Sequence, residues 1–280
     1  MSNSTNAPRV WTAVEMSKKR KAFIVLAGTI FAFNASLGTS LPSGASSNIG
    51  EAFDVTEDDP RMTLLNSLYV LGFVLGPLFF GPLSEYVGRR PVLIVTYLIY
   101  VLFTLACALS PNLEALLVFR FFCGVVGSVP NSVLGGLYSD IYDEPEQRGN
   151  AMALFLFTAI AGPMAGPLFS GFTVLLSWNW VFYIATIVAG AGAPIIMLIP
   201  ETYFPVLLRR VKGVRPQLNM EQSHQAKAQF SARKTFLRPI SLLLREPIVS
   251  LTSIYLAVIY GVLFLFFQVY PIVFEGKRKI

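Results

Sequence analysis

A chain of 280 residues in which 54% are hydrophobic and only 14% charged cannot dress a globular surface, because a soluble domain carries about 25% charged residues. The net charge of +6 points to membrane topology and anionic lipid, not to a nucleic-acid partner. Two cysteines and a single histidine, His224, give no metal-ligand cluster, and without a phosphate loop or nucleophile elbow no enzyme is expected.

The chain opens with a hydrophilic tail over 1–21 that ends in Lys18, Lys19, Arg20 and Lys21. Seven apolar blocks follow: Ala22–Leu41, Met62–Gly81, Pro91–Ser110, Ala115–Leu137, Ala151–Thr173, Trp178–Ile199 and Ile248–Tyr270. A hydrocarbon core of roughly 30 Å needs about 20 apolar residues, and backbone groups in lipid must be satisfied within their own segment, so each block reads as a helix. The first lacks an A-x-A-like site at its end and reads as a retained span, not a cleaved signal peptide. The expected fold class is an all-α membrane protein, with six closely spaced spans over 22–199, a basic polar segment over 200–246, a seventh transmembrane helix over 247–271 and an atypical tail over 272–280.

Lysine and arginine set the orientation. With a cytoplasmic N-terminus, seventeen of them fall on the cytoplasmic side and one, Arg61, on the outer side of the first six spans, whose first outer loop carries Glu51, Asp54, Glu57, Asp58 and Asp59. Lys277, Arg278 and Lys279, after the seventh span, depart from that rule. The polar segment contains FLRPISLLLRE and reads either as a surface helix or as a solvated linker. Neither sequon is expected to be glycosylated: Asn3 lies on the cytoplasmic side and Asn34 inside a span.

Span 2 ends GPLFFG at 76–81 and span 5 contains GPLFSG at 166–171, each preceded four residues earlier by a glycine, Gly72 or Gly162. The pattern recurs at the same relative place in two helices of opposite direction. Spans 1–3 and 4–6 therefore read as two inverted three-helix repeats. No comparable match is evident at the same offset for spans 1 and 4 or 3 and 6, and small-xxx-small spacing is also a general packing device.

Four stretches carry chemistry. Between spans 2 and 3 lies GPLSEYVGRRP, with about nine residues of loop, Gly88 suited to a tight turn and Glu85 beside Arg89 and Arg90. Composition alone also allows an ordinary positive-inside loop there. Arg120 is the one charge inside a span; it reads either as a functional buried charge or, six residues after Glu114, as a side chain snorkelling to the outer surface. In span 5, Gly162 and Gly166 share a helix face, and Pro163 and Pro167 loosen the helix. Between spans 4 and 5, Asp140 and Arg148 are placed to pair.

These motifs, in order, resemble the major facilitator superfamily, and within it the fungal drug:proton antiporters of multidrug or polyamine type. GPLSEYVGRRP matches the signature loop G-x-L-[SA]-[DE]-x-x-G-R-[RK]-P, so the resemblance gives Gly81, Glu85, Gly88, Arg89 and Arg90 a place in a cytoplasmic gate; the loop between spans 4 and 5 resembles the corresponding loop of the family, which gives Asp140 and Arg148 a place in the same gate cluster. Arg120 in RFFCGVVGSVPNSVLGG resembles the fourth-helix arginine associated with proton coupling. AGPMAGPLFSGF resembles the antiporter signature G-x-x-x-G-P-x-x-G-G through Gly162, Pro163, Gly166, Pro167 and Gly171, with Ser170 standing where the pattern has glycine. PETYFPVLLRR after span 6 and RPISLLLREPIV before span 7 resemble the same fungal antiporters.

The resemblance implies a six-helix transporter half plus one helix, working by alternating access without a cofactor and driven by a proton gradient. The expected partners are the lipid bilayer and a small amphipathic or cationic substrate, with efflux across the plasma membrane. Asn34, Asn131 and Thr158 are candidate substrate-lining residues, and no carboxylate lies within spans 1–6 to carry the proton. Because a complete member has two halves, the chain is expected to be truncated or mis-spliced. The alternatives are a non-transporting half-protein that associates with a full-length relative and, at odds with the inferred topology, a seven-span receptor.

Overall fold

The computed structural model describes residues 13–56, 59–173, 176–203, 206 and 245–275. Glu57, Asp58, His224, most of the central polar segment and Lys277–Lys279 lie outside the described residues. Among the described residues the regular structure is helical throughout: α1 Lys18–Ser40, a 3-10 turn Leu41–Ala45, α2 Ser46–Ala52, α3 Pro60–Val87, α4 Arg89–Ala108, α5 Leu113–Gly127, α6 Val129–Ile141, α7 Pro145–Thr173, α8 Trp178–Met197 and α9 Pro247–Glu275. Six segments are long and apolar enough to cross a membrane: Lys18–Ala52, Pro60–Val87, Arg89–Ala108, Leu113–Ile141, Pro145–Phe172 and Trp178–Met197. The chain is a multi-pass membrane protein. In α9 the described apolar stretch is shorter, Pro247–Val262.

Local chemistry sets the helix ends. Asp59 caps α3 by accepting from the Arg61 amide at 2.8 Å, with Pro60 in the first position. Asn112 caps α5 by accepting from the Ala115 amide at 2.8 Å. The junction of α3 and α4 is a single residue, Gly88, at φ +115° and ψ 157°, backbone that side-chain-bearing residues avoid. Here the structure differs from the nine-residue loop expected from sequence. The helix runs on six residues past Gly81, through Pro82, because a proline's fixed φ is compatible with a helix and its ring removes only one amide from the ladder.

The fourth span also differs. It is two helices, α5 and α6, broken at Ser128, and the first span is likewise broken after Ser40. Both breaks precede a Ser-aliphatic-Pro-polar run, Ser40-Leu41-Pro42-Ser43 and Ser128-Val129-Pro130-Asn131. Proline removes the amide that would continue the ladder. The two runs are 88 residues apart, against 90 for the duplicated glycine pattern, which is why one common offset does not align both.

Packing shows the inverted repeat across the whole bundle. The most extensive pairings are α3 with α5 and α1 with α7, and exchanging spans 1–3 with 4–6 turns one into the other. The contact of α4 with α8 maps onto itself, and that of α4 with α5 maps onto α1 with α8. The duplicated glycines perform one task in both copies. On α3, a Cβ at Gly72 would meet the Val125 amide at 2.8 Å and one at Gly76 would run into Ser128. On α7, a Cβ at Gly162 would meet the Leu37 amide at 2.7 Å and one at Gly166 would run into Ser40. Helix association in lipid lacks a hydrophobic drive and depends on such close backbone approach.

Buried tyrosines tie the remaining helices together. The hydroxyl of Tyr69 donates to the Ala35 carbonyl at 2.7 Å, that of Tyr100 to the Asn34 carbonyl at 2.8 Å and that of Tyr97 to the Ala189 carbonyl at 2.6 Å. Each removes a polar group from an apolar interior that would otherwise leave it unpaired.

Candidate functional site

Two charged centres stand out, one at an end of the bundle and one in its core. At the end, Arg89 opens α4 and turns inward. Its Nε donates to Asp140 Oδ2 at 2.6 Å, with 8% of the Arg89 side chain and 24% of the Asp140 side chain exposed. Its Nη1 lies 3.5 Å from Ser84 Oγ, and its guanidinium sits over the Tyr203 ring at 5.4 Å. Gly136, one turn before Asp140, supplies the room: a Cβ there would meet Arg89 Nη1 at 2.7 Å. A lysine could not reproduce this planar seat.

Glu201, just past α8, completes the cluster. It is 5% exposed. Its Oε1 accepts from the amides of Arg89, Thr202 and Tyr203, each at 3.1 Å, and its Oε2 from the Arg90 amide at 3.3 Å. It thus caps α4 from a distance of 112 residues in sequence and places a carboxylate at a helix N-terminus, where the dipole favours it. A Cβ on Gly88 would meet Glu201 Oε2 at 2.7 Å, so the glycine is required twice, by its backbone angle and by its neighbour.

The sequence-derived gate residues are therefore partly assembled. Arg89 pairs with Asp140, not with Glu85, which is exposed and forms no ion pair among the described residues. Asp140 is taken by Arg89 and not by Arg148, which is exposed on the first turn of α7 and likewise forms no ion pair among the described residues. Arg90 contributes its amide. Gly81 accepts the Ser84 hydroxyl through its carbonyl at 2.7 Å. The Arg89–Asp140 contact places the α3–α4 and α6–α7 turns at the same end of the bundle, and Lys21 over the Tyr142 ring at 5.2 Å puts the start of α1 there too. The opposite end carries Phe53 against Trp178 at 5.0 Å and Asn179 Nδ2 donating to the Ala108 carbonyl at 2.8 Å.

The core centre is Arg120. It does not snorkel: it is 2% exposed. Its Nε donates to the Leu65 carbonyl at 3.1 Å and its guanidinium lies 4.4 Å from the Tyr69 ring centroid, a cation–π contact strengthened by desolvation. Its Nη2 has no hydrogen-bond partner among the described residues. It faces a cavity of about 10 Å³ whose polar lining is Asn34, Tyr69, Tyr100, Thr104, Cys107 and Cys123.

Of the substrate-lining candidates, Asn34 lines this cavity and donates its Nδ2 to the Ile30 carbonyl at 2.9 Å. Asn131 is exposed in the first turn of α6, and Thr158 is buried with its hydroxyl on the Phe155 carbonyl at 2.8 Å. The structure does not bring the three together. In the packing motif, Gly162 and Gly166 approach α1 closely, whereas a Cβ on Gly171 would meet nothing. Ser170 is fully buried against Gly44, its hydroxyl on the Gly166 carbonyl at 3.1 Å. Pro167 has no amide for the Pro163 carbonyl four residues back, and that carbonyl accepts from Ser40 Oγ at 2.7 Å.

Glu201, Gly136 and Ser40 were not singled out by sequence reasoning. For Glu201 the available signal is a carboxylate two residues past the end of an apolar span. For Ser40 it is the Ser-x-Pro run shared with Ser128.

A bundle of six apolar spans with inverted internal symmetry, an ion pair at one end and a buried arginine at its core has the architecture of one half of an α-helical membrane transporter. The sequence matches the Major Facilitator Superfamily over residues 24–277. The chain belongs to that family. It is 34% identical over 289 residues to the ascochitine biosynthesis cluster MFS transporter of Didymella fabae, covering 99% of this chain and 53% of that protein. It is 33% identical over 270 residues to the efflux pump FUBT of Fusarium oxysporum, covering 93% of this chain and 45% of that protein. Among solved structures, a bacterial homologue of the human lysosomal transporter Spinster, inward-facing and unoccupied, superimposes with a TM-score of 0.57 at 16% identity, over 75% of this chain and 49% of that one. The chain spans about half the length of the curated relatives it matches.

Proposed function

We propose that this chain forms one wall of a proton-coupled exporter of small amphipathic or cationic molecules in the plasma membrane, with its N-terminus cytoplasmic. The observation that carries the reading is the Arg89–Asp140 ion pair, a contact buried on the arginine side that ties α4 to α6 at one end of the bundle. A latch that opens and closes must be a discrete polar contact between elements that move, and charged groups at an interface supply two distinct states where apolar packing supplies one. The positive-inside count supports a cytoplasmic position for that end. Relatives named as an efflux pump and as a biosynthesis-cluster transporter support export of small organic products. No cofactor is invoked; the proton gradient supplies the free energy.

The test is flux in proteoliposomes under an imposed pH gradient, with a fluorescent amphipathic cation as probe. The 280-residue chain is assayed alone and co-reconstituted with its fungal relatives. Proton-dependent movement of the probe by either preparation supports the reading; movement by neither overturns it. A second reading is a non-transporting protein that associates with a full-length relative or with a separate second half. Flux by the chain alone rejects it.

A further inference from the structure

Arg120 brings a full positive charge into a cavity that holds no carboxylate among the described residues. A guanidinium is not neutralised by losing its proton, and an uncompensated buried cation is costly. A balancing acid is therefore needed, and the walls of the cavity restrict the choice. From α1 it is faced by Asn34, Leu37 and Gly38 and from α8 by Phe182 and Ala185, none of them ionisable. From α3 comes Tyr69, from α4 Tyr100 and Cys107, and from α5 Cys123 beside Arg120 itself.

The two phenols are committed, their protons held by the Ala35 and Asn34 carbonyls. Ionising either would set an anion against a carbonyl oxygen. Phenols also ionise about 1.5 units above thiols in water. Cys123 remains. It stands three residues after Arg120, on the same face of α5. Its sulfur lies 3.8 Å from Thr104 Oγ1. The unpartnered Arg120 Nη2, which shares the cavity with Cys123, supplies the charge that holds a thiolate.

We propose that Cys123 is the counter-ion of Arg120 and the proton-exchanging group of this cavity. The S–H bond of Cys123 breaks, its electron pair stays on sulfur, and the proton passes to a water, for which the cavity of about 10 Å³ has room for one. The reverse step restores the thiol. As the carrier of the coupling proton, Cys123 rests on the efflux reading above; as a titrating pair with Arg120 it does not.

The experiment counts S–H oscillators by infrared spectroscopy on the purified 280-residue chain in lipid nanodiscs. The chain holds two cysteines, so the count starts at two. Raising the pH from about 5 to about 9, a range that brackets thiol ionisation, is expected to remove one S–H band. Cys107→Ala is expected to leave the titrating band and Cys123→Ala to abolish it, while Arg120→Gln keeps both bands at the upper pH. Two bands persisting to about pH 9 in the wild-type chain overturn the proposal. So does loss of the same band in a folded Arg120→Gln protein, or assignment of the titrating band to Cys107. If Arg120→Gln does not fold, the wild-type and cysteine-variant titrations decide. A titrating Cys123 band together with proton-independent flux would overturn the efflux reading and leave the ion pair standing.

Discussion

Removing one partner of the Arg89–Asp140 pair strands the other as a poorly solvated charge. Asp140→Ala is therefore expected to cost about 3 kcal/mol, the lower end for a broken buried pair, since a quarter of the Asp140 side chain stays in contact with solvent. Replacing both partners with leucine should cost less than the single change, because no unpaired charge remains. Thermal unfolding in detergent, read by circular dichroism, checks the order. Gly88→Ala adds a Cβ against Glu201 at a backbone angle that costs about 1–3 kcal/mol for other residues, and the same melts should show a loss of that size. At the other end, the Arg61 side chain and amide hold the Asp59 carboxyl below its ordinary range. A depressed acid contributes stability above its unfolded value and loses it as pH falls through the folded value. Protection of the Arg61 amide, its exchange rate referred to the intrinsic rate at each pH, should thus hold from neutral pH down to about 4 and fall only below. At this scale the sequence makes Arg89, Asp140 and Arg120 visible as charges where charge is rare. It does not make the pairing visible: Glu201 meets Arg89 across 112 residues, and nothing local to either residue announces the other.

Between elements, the informative contact is Ser40 Oγ donating to the Pro163 carbonyl at 2.7 Å. That carbonyl lacks an intrahelical partner because Pro167 brings no amide. A double-mutant cycle follows. Ser40→Ala in the wild-type chain should cost about 1 kcal/mol, the usual net value of one hydrogen bond. In a Pro167→Ala background the restored backbone amide takes over, and the same serine change should cost close to nothing. Additive effects in the melting temperatures would show that the contact is incidental. The symmetry-related Ser128 donates instead to Val125 in its own helix, at 2.8 Å, so Ser128→Ala should be milder. The duplicated glycine pattern of α3 and α7 was legible because both halves keep the same hexapeptide frame. The matching breaks at Ser40 and Ser128 were not, because Ala22–Leu41 and Ala115–Leu137 are each long enough and apolar enough overall to read as one helix. The helical reading of α3 beyond Gly81 was missed because Pro82 usually signals an end, yet here it lies within a continuous helix.

For the molecule as a whole, the six spans and their order follow from hydropathy alone, and the structure adds which ends coincide. The Arg89–Asp140 pair fixes two turns on one side, and the inferred cytoplasmic N-terminus joins them through Lys21 against Tyr142. Exposed apolar side chains such as Phe172, at 77%, Phe157, at 67%, and Leu168, at 59%, spread over α7. Such a helix is stable only when lipid or another bundle covers it, so exposure does not separate the two and hydropathy carries no signal for which faces meet a partner. Topology is the property open to a direct test. In a background with Cys107 and Cys123 replaced by alanine, Glu85→Cys and Arg148→Cys should react with a membrane-impermeant maleimide only after the cell is permeabilised, and Glu51→Cys should react in intact cells. The lysine and arginine excess acts during insertion, and the ion pair forms after folding. Agreement of the two sides would mean that one asymmetry in charge both orients the bundle and supplies its latch. Labelling of Glu85→Cys and Arg148→Cys from opposite sides would break the six-span topology, because two spans, Arg89–Ala108 and Leu113–Ile141, lie between the two turns.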